Sequence, residues 1–192
     1  MIDLILNFDK LTTLFLKNLT PHNYFFDLFF SFFSLKGNAI FVWILVIIIA
    51  LIFEERKNPG LSKKDKQFVI TFIFTFLLTA LTVFILQNFF HRLRPITTSF
   101  NQFQLVLTKC PTSFSFPSGH AATAFTAATI LTFFDKKRRL FYYTTAFLIA
   151  YSRIYLGCHY FLDVFFGAII GFSLSQFFLK IIALDQSRPN QN

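Results

Sequence analysis

Three short stretches hold most of the residues able to do chemistry. The first is Phe90-His91-Arg92-Leu93-Arg94-Pro95 and the second Phe116-Pro117-Ser118-Gly119-His120. The third is Ser152-Arg153, five intervening residues, His159, and Asp163 one helical turn on. Arg94 and Arg153 offer forked donors that match phosphate oxygens. Ser118 can open a helix whose first N–H groups point outward, and Gly119 lets the backbone approach an anion closely. His159 and Asp163, at i,i+4, share a helix face, so the carboxylate could fix one ring nitrogen as N–H and leave the other to attack. His120, arriving from another helix, could protonate a leaving oxygen and then activate water. Together these groups describe phosphoryl transfer without a cofactor or metal. Two histidines and one aspartate are a thin ligand set, and the nearby guanidinium groups disfavour a cation.

Each stretch alone also has a plainer reading. A lone Arg92 at the end of an apolar run is a snorkelling anchor. Pro-Ser-Gly is a common helix start, and His-x-x-x-Asp is a common helix-surface pair. His22 and His91 read as satisfied core histidines. The combination decides against the plainer readings, because unrelated features would not all fall at one membrane face.

The elements that must carry these groups are apolar. Hydrophobic residues make up 55% of the 192, charged residues only 14%, and Phe occupies 32 positions. Soluble proteins average ~25% charge, so with a mean hydropathy of +0.58 this composition excludes a soluble domain and a disordered chain. The formal charge of +9 sits between long apolar runs rather than on a solvated basic face, so no nucleic-acid partner is expected. The expectation is an all-α, polytopic transmembrane helical bundle of about five spans: 38–53, 68–90, 117–134, 140–152 and 160–179. No cleavable leader is expected at Met1-Ile2-Asp3-Leu4.

Residues 1–35 are expected to form an interfacial or re-entrant segment. Leu4, Phe8, Leu11, Phe15 and Leu19 recur at helical spacing opposite Asp3, Asn7, Lys10 and Asn18. Pro21 breaks this pattern, and 24–35 is apolar but short. Residues 36–184 form the membrane domain and 185–192 a cytoplasmic tail. The basic stretches Arg56–Lys66 and Lys136–Arg139 place two loops inside by the positive-inside rule, and alternation puts the three chemical stretches outside. Cys110 and Cys158 fall on that outer side. Free buried thiols are expected, with a bridge tying two site elements as the less favoured alternative.

Arg94-Pro95, Pro117-Ser118-Gly119-His120 and Ser152-Arg153-x5-His159-x3-Asp163 resemble the tripartite signature of the type 2 phosphatidic acid phosphatase superfamily. The resemblance runs from about Phe68 to the last helix. It implies His159 as a nucleophile forming a phosphohistidine, Asp163 orienting it, and His120 as general acid. It further implies Arg94, Ser118, Gly119 and Arg153 as phosphate ligands. The family's first element carries a lysine seven residues before the Arg of Arg-Pro, and here that position is Gln87. Gln87 can donate a hydrogen bond but brings no charge, so Arg92 or Lys109 is expected to supply it. The resemblance implies an inner-membrane lipid phosphatase with an extracytoplasmic site, undecaprenyl pyrophosphate being the first substrate to test. No obligate protein partner is expected. The alternative is a weakened homologue that binds or transports phospholipid.

Overall fold

The structure is a computed structural model that describes residues 2–34, 43, 48, 63–95, 110 and 112–186. Those residues are helical or irregular, with no strand among them. In chain order the helices are α1 (Ile2–Asn18), α2 (Tyr24–Ser34), α3 (Lys63–Phe90), α4 (Gly119–Phe134), α5 (Arg139–Tyr155) and α6 (Phe161–Gln186). A single 3-10 turn, Lys136–Arg138, joins α4 to α5. Apart from Trp43 and Ile48, the expected span at 38–53 lies outside the described residues, as does the tail beyond Gln186.

Two helices are long and apolar enough to cross a membrane, Lys66–Phe90 and Phe161–Ala183. α3 is built inside out relative to a helix of a soluble protein. Its buried stripe is Phe68, Thr71, Thr75, Thr79 and Val83, whereas Ile70, Ile73, Phe74, Leu77, Phe84 and Phe89 face outward. A surface of that kind is compatible with lipid and not with water, because contiguous apolar area of this extent would associate in solution. The chain is a membrane protein.

α4 sits at the centre, packed by α3, α5 and α6. Its sequence, Gly-His-Ala-Ala-Thr-Ala-Phe-Thr-Ala-Ala-Thr-Ile-Leu-Thr-Phe-Phe, has no polar face because nine of its residues are buried on several sides. Small side chains let neighbours come close, as in membrane bundles generally. A Cβ at Gly167 would lie 2.6 Å from the Ser118 carbonyl oxygen, and one at Gly171 would fall on that of Ala122. The Thr126 hydroxyl donates to the Gly171 carbonyl at 3.3 Å and lies 3.0 Å from the Thr79 hydroxyl of α3. The apolar core below the site joins Ala124, Ala127, Ala128 and Ile130 to Tyr142, Ala146 and Ile149. The alternation of α3 to α6 brings four helix ends together: the last turn of α3, the first of α4, the last of α5 and the first of α6.

α1 and α2 pack against the same end. α1 touches α5 and α6, and α2 lies along α5. Their junction is fixed by Tyr155, whose hydroxyl donates to Asp27 at 2.6 Å and whose ring stacks on His22.

Candidate active site

The turn that carries His159 follows from the way α5 ends. Gly157 adopts φ 66°, a left-handed conformation that a side chain would disfavour. The chain then folds back so that the N–H groups of Cys158 and His159 both donate to the Arg153 carbonyl, at 3.0 and 3.2 Å. This places His159 beside the Arg153 turn, with Arg153 and His159 each 1% exposed. α6 begins immediately afterwards, and the Tyr160 N–H donates back to Asp163 Oδ2 at 2.8 Å, closing its first turn.

The tautomer of His159 is set by its neighbours. Nδ1 lies 2.8 Å from the Ser115 carbonyl oxygen, which can only accept, so Nδ1 carries the hydrogen. Nε2 lies 2.8 Å from Arg94 Nη1, which can only donate, so Nε2 presents its lone pair. Burial pushes the His159 pKa down to about 4, with Arg153 and Arg94 acting in the same direction and Asp163 against them. The imidazole is therefore neutral across the physiological range, which is the form that can attack.

Asp163 is completely buried. Its Oδ2 stands 3.6 Å from His159 Nδ1, beyond a direct hydrogen bond. That oxygen instead accepts the Ser115 hydroxyl and the Tyr160 N–H, and Oδ1 accepts Arg92 Nη1 at 2.6 Å. Asp163 thus connects to the ring through Ser115, whose hydroxyl meets the carboxylate while its carbonyl meets the ring. Ser115 was not singled out from the sequence. Its carbonyl is a backbone group, and no residue pattern marks it.

Arg94 anchors the loop before α4. Its Nε and Nη2 donate to the Ser113 and Phe114 carbonyls at 2.7 and 3.1 Å, and Nη1 also donates to the Cys158 carbonyl at 2.9 Å. Burial lowers the Arg94 pKa from its ordinary value, with Asp163 partly opposing. Ser118 is the N-cap of α4 and its hydroxyl is buried without a hydrogen-bond partner. Its own N–H is held by the Asp163 carbonyl at 2.9 Å. The orphan Ser118 hydroxyl, the first N–H groups of α4 at Gly119 and the guanidinium of Arg94 are donors of the kind from which an anion cradle is built, and Arg94 already meets Nε2. His120 follows Gly119 in the first turn of α4.

Two expected phosphate-binding groups are engaged elsewhere. Arg92 does join the cluster, but its terminal nitrogens are bound by carboxylates: Nη2 meets Asp9 at 2.5 Å and Nη1 meets Asp163. Its guanidinium also lies over the Tyr160 ring, 4.2 Å from the centroid. Burial works against its charge, and the two carboxylates outweigh that, holding its pKa above the ordinary value. Gln87 uses its side-chain amide to donate to the Pro117 carbonyl at 3.0 Å. The uncharged residue thereby steadies the loop that carries Ser118. Lys109 lies outside the described residues. Asp9, from α1, was not anticipated as part of the site.

Three further expectations change. Cys110 and Cys158 form a disulfide, with Cα atoms 5.4 Å apart, so the preferred reading of free thiols is corrected. Beside this bridge, Arg94 Nη1 donates to the Cys158 carbonyl. His91 is exposed, at φ 49°, and His22 is exposed against Asp27 and Tyr155, so neither is a core histidine.

Comparison with known proteins follows the same residues. A sequence model of the PAP2 superfamily matches residues 68–186. An undecaprenyl-diphosphatase of Sulfolobus acidocaldarius is 32% identical over 137 residues, covering 71% of this chain and 61% of that one. A lipid A 4'-phosphatase of Bacteroides thetaiotaomicron is 48% identical over 60 residues, 30% of this chain and 27% of that one. The chain thus spans less than two thirds of the length of these curated relatives. The crystal structure of Aquifex aeolicus LpxE superposes with a TM-score of 0.64 at 31% identity, over 88% of this chain and 94% of that one.

Proposed function

The chain belongs to the PAP2 superfamily, and from that premise we propose that it is a membrane lipid phosphatase cleaving a phosphomonoester or pyrophosphate through a phosphohistidine. The observation that carries the reading is the fixed tautomer of His159, with the Nε2 lone pair beside Arg94. A phosphate group entering the cradle takes over Arg94 Nη1 and meets Ser118, Gly119 and Arg153. Nε2 then attacks phosphorus as the P–O bond to the lipid breaks, and His120 gives its proton to the departing oxygen. In the second half His120 removes a proton from water, water oxygen attacks the phosphohistidine, and inorganic phosphate leaves with His159 restored. The Nδ1 proton stays with the Ser115 carbonyl throughout, and Asp163 steadies that arrangement through the Ser115 hydroxyl.

Undecaprenyl pyrophosphate is the preferred substrate, on the 32% likeness to an undecaprenyl-diphosphatase; a lipid A phosphate is the next choice. The site faces the extracytoplasmic side of the inner membrane, the basic turn Lys136–Arg139 lying at the opposite ends of α4 and α5. The test is phosphate release by detergent-purified protein from undecaprenyl pyrophosphate, lipid A, phosphatidylglycerophosphate and phosphatidic acid, with EDTA present. His159→Ala is expected to reduce turnover by at least ~10³-fold. Wild-type rates retained in that variant would end the mechanism.

Gln87 favours one second reading: a protein that binds lipid phosphate without turnover, because the family's lysine charge is absent there. Rapid mixing with labelled substrate separates the two. An enzyme accumulates an acid-labile phosphoryl group on His159, and a binding protein does not.

A further inference from the structure

α1 lies outside the matched residues 68–186, yet it enters the site. Asp9 is fully buried, an expensive position for a carboxylate unless charge and hydrogen bonds compensate it. Its Oδ2 meets Arg92 Nη2, and its Oδ1 accepts the Leu162 N–H at 2.8 Å. One turn on, the Thr13 hydroxyl accepts the Phe161 N–H at 2.8 Å. The first turn of α6 is therefore capped by a different helix. From Asp9 a continuous line of contacts runs through Arg92 to Asp163, from Asp163 to the Ser115 hydroxyl, and from the Ser115 carbonyl to His159 Nδ1.

The surface of α1, continued by Leu19 and Thr20 just past its end, has three faces. Asp9, Thr13, Leu16 and Thr20 point inward, Thr20 and the Leu16 carbonyl both meeting the Tyr151 hydroxyl at 2.9 Å. Leu4, Phe8, Leu11, Phe15 and Leu19 are exposed on a second face, and Asp3, Asn7 and Lys10 on a third. A helix with one apolar and one polar outer face lies at a membrane surface. Its third face reaches the reaction.

We infer that Asp9 is a positioning residue for phosphoryl transfer at His159, carried on an interfacial helix that aligns Asp163 by way of Arg92. This rests on the phosphatase reading above. Arg92 alone cannot fix Asp163, because a guanidinium free at one end can swing; Asp9 holds that end. A capping role alone predicts lower stability with unchanged chemistry, so the two are separable. Asp9→Asn keeps an oxygen for the Leu162 N–H and removes the ion pair.

The test measures kcat and KM on undecaprenyl pyrophosphate and dioleoyl phosphatidic acid in detergent micelles. The variants are Asp9→Asn, Asp9→Glu, Arg92→Gln and Asp9→Asn/Arg92→Gln, with Asp3→Asn as the exposed control. Asp9→Asn is expected to lower kcat about ten-fold or more with KM within about two-fold, and the double variant to be no worse than Arg92→Gln, as coupled neighbours behave. Asp9→Glu, which keeps the charge, should recover part of kcat. Wild-type kcat in Asp9→Asn, or losses that multiply in the double variant, would overturn the inference. Hydrogen exchange over 158–165 is recorded for every variant. Should the wild type release no phosphate from these two lipids, lipid A or phosphatidylglycerophosphate, the phosphatase reading fails and exchange decides the relay. Faster, non-additive exchange in Asp9→Asn and Arg92→Gln sustains it, and exchange equal to wild type overturns it.

Discussion

Where α4 crosses α6 the backbones meet through Gly167 and Gly171, with no space for a side chain, whereas the hydrogen bonds by which α1 holds the head of α6 come from the side chains of Asp9 and Thr13. Both contacts fix the same helix, and both bear on the same site. The first is steric and short-ranged: Ser118 is placed because its carbonyl has nowhere else to go. The second is electrostatic, and its geometry depends on two carboxylates sharing one guanidinium. The seam should therefore fail by unfolding, and the charged contact by misalignment of a protein that remains folded.

The sharpest way to break this contrast is Gly171→Leu. The added side chain meets the Ala122 backbone, which cannot move without shifting α4, so the cost should reach or pass the ~3 kcal/mol upper range of overpacking. Yield and thermal unfolding in detergent measure it, and a stable, folded Gly171→Leu protein would remove the steric side of the comparison. Next in size is Arg92→Lys. A single ammonium cannot span Asp9 and Asp163 as a fork does, so kcat should fall about ten-fold while the unfolding temperature changes little. An unfolding midpoint that drops as far as in Gly171→Leu would make the two contacts alike.

Thr126→Val tests the seam more gently. It removes the hydrogen bonds to Gly171 and Thr79 without altering volume much, and hydrogen bonds between membrane helices average ~0.6 kcal/mol. A midpoint lowered by roughly 1–3 °C with kcat intact is expected. The smallest effect at neutral pH concerns His159. With a pKa lowered by burial to about 4, the ring is neutral above that value and loses its lone pair as pH falls through it. The acid limb of kcat/KM should accordingly lie near pH 4, well below the ordinary histidine value of ~6.5. A limb at the ordinary value would mean that the His159 pocket opens to water before chemistry.

Much of this arrangement was legible in the sequence. Helices at 63–90, 119–134, 139–155 and 161–186 overlie the four apolar runs expected there, and the three motif stretches converge as their order on alternating helices implies. Ser115 was not legible, because its main contribution to His159 is a carbonyl. Asp9 was missed for a different reason. The α1 pattern was sorted into an apolar face and a polar face, and the stripe of Asp9, Thr13 and Thr20 belongs to neither. A signal did exist: an ionisable residue next to Phe8 in a membrane-facing helix is costly and needs a partner. The partner of Asp9 is 83 residues away, and only the fold brings it near.

Gln87 has a consequence for how a reaction cycle ends. The described residues at the site include three guanidinium groups, Arg92, Arg94 and Arg153, and two carboxylates, Asp9 and Asp163, both of which Arg92 meets; the balance is an excess of one positive charge. A lysine at position 87 would double that excess and hold a departing phosphate dianion more tightly, since attraction at short range grows in a dry cavity. A neutral amide stands there instead, turned to the Pro117 carbonyl just before the start of α4. On the proposed phosphatase reading, the missing cation would be a setting for release, and Gln87→Lys is expected to strengthen inhibition by free phosphate.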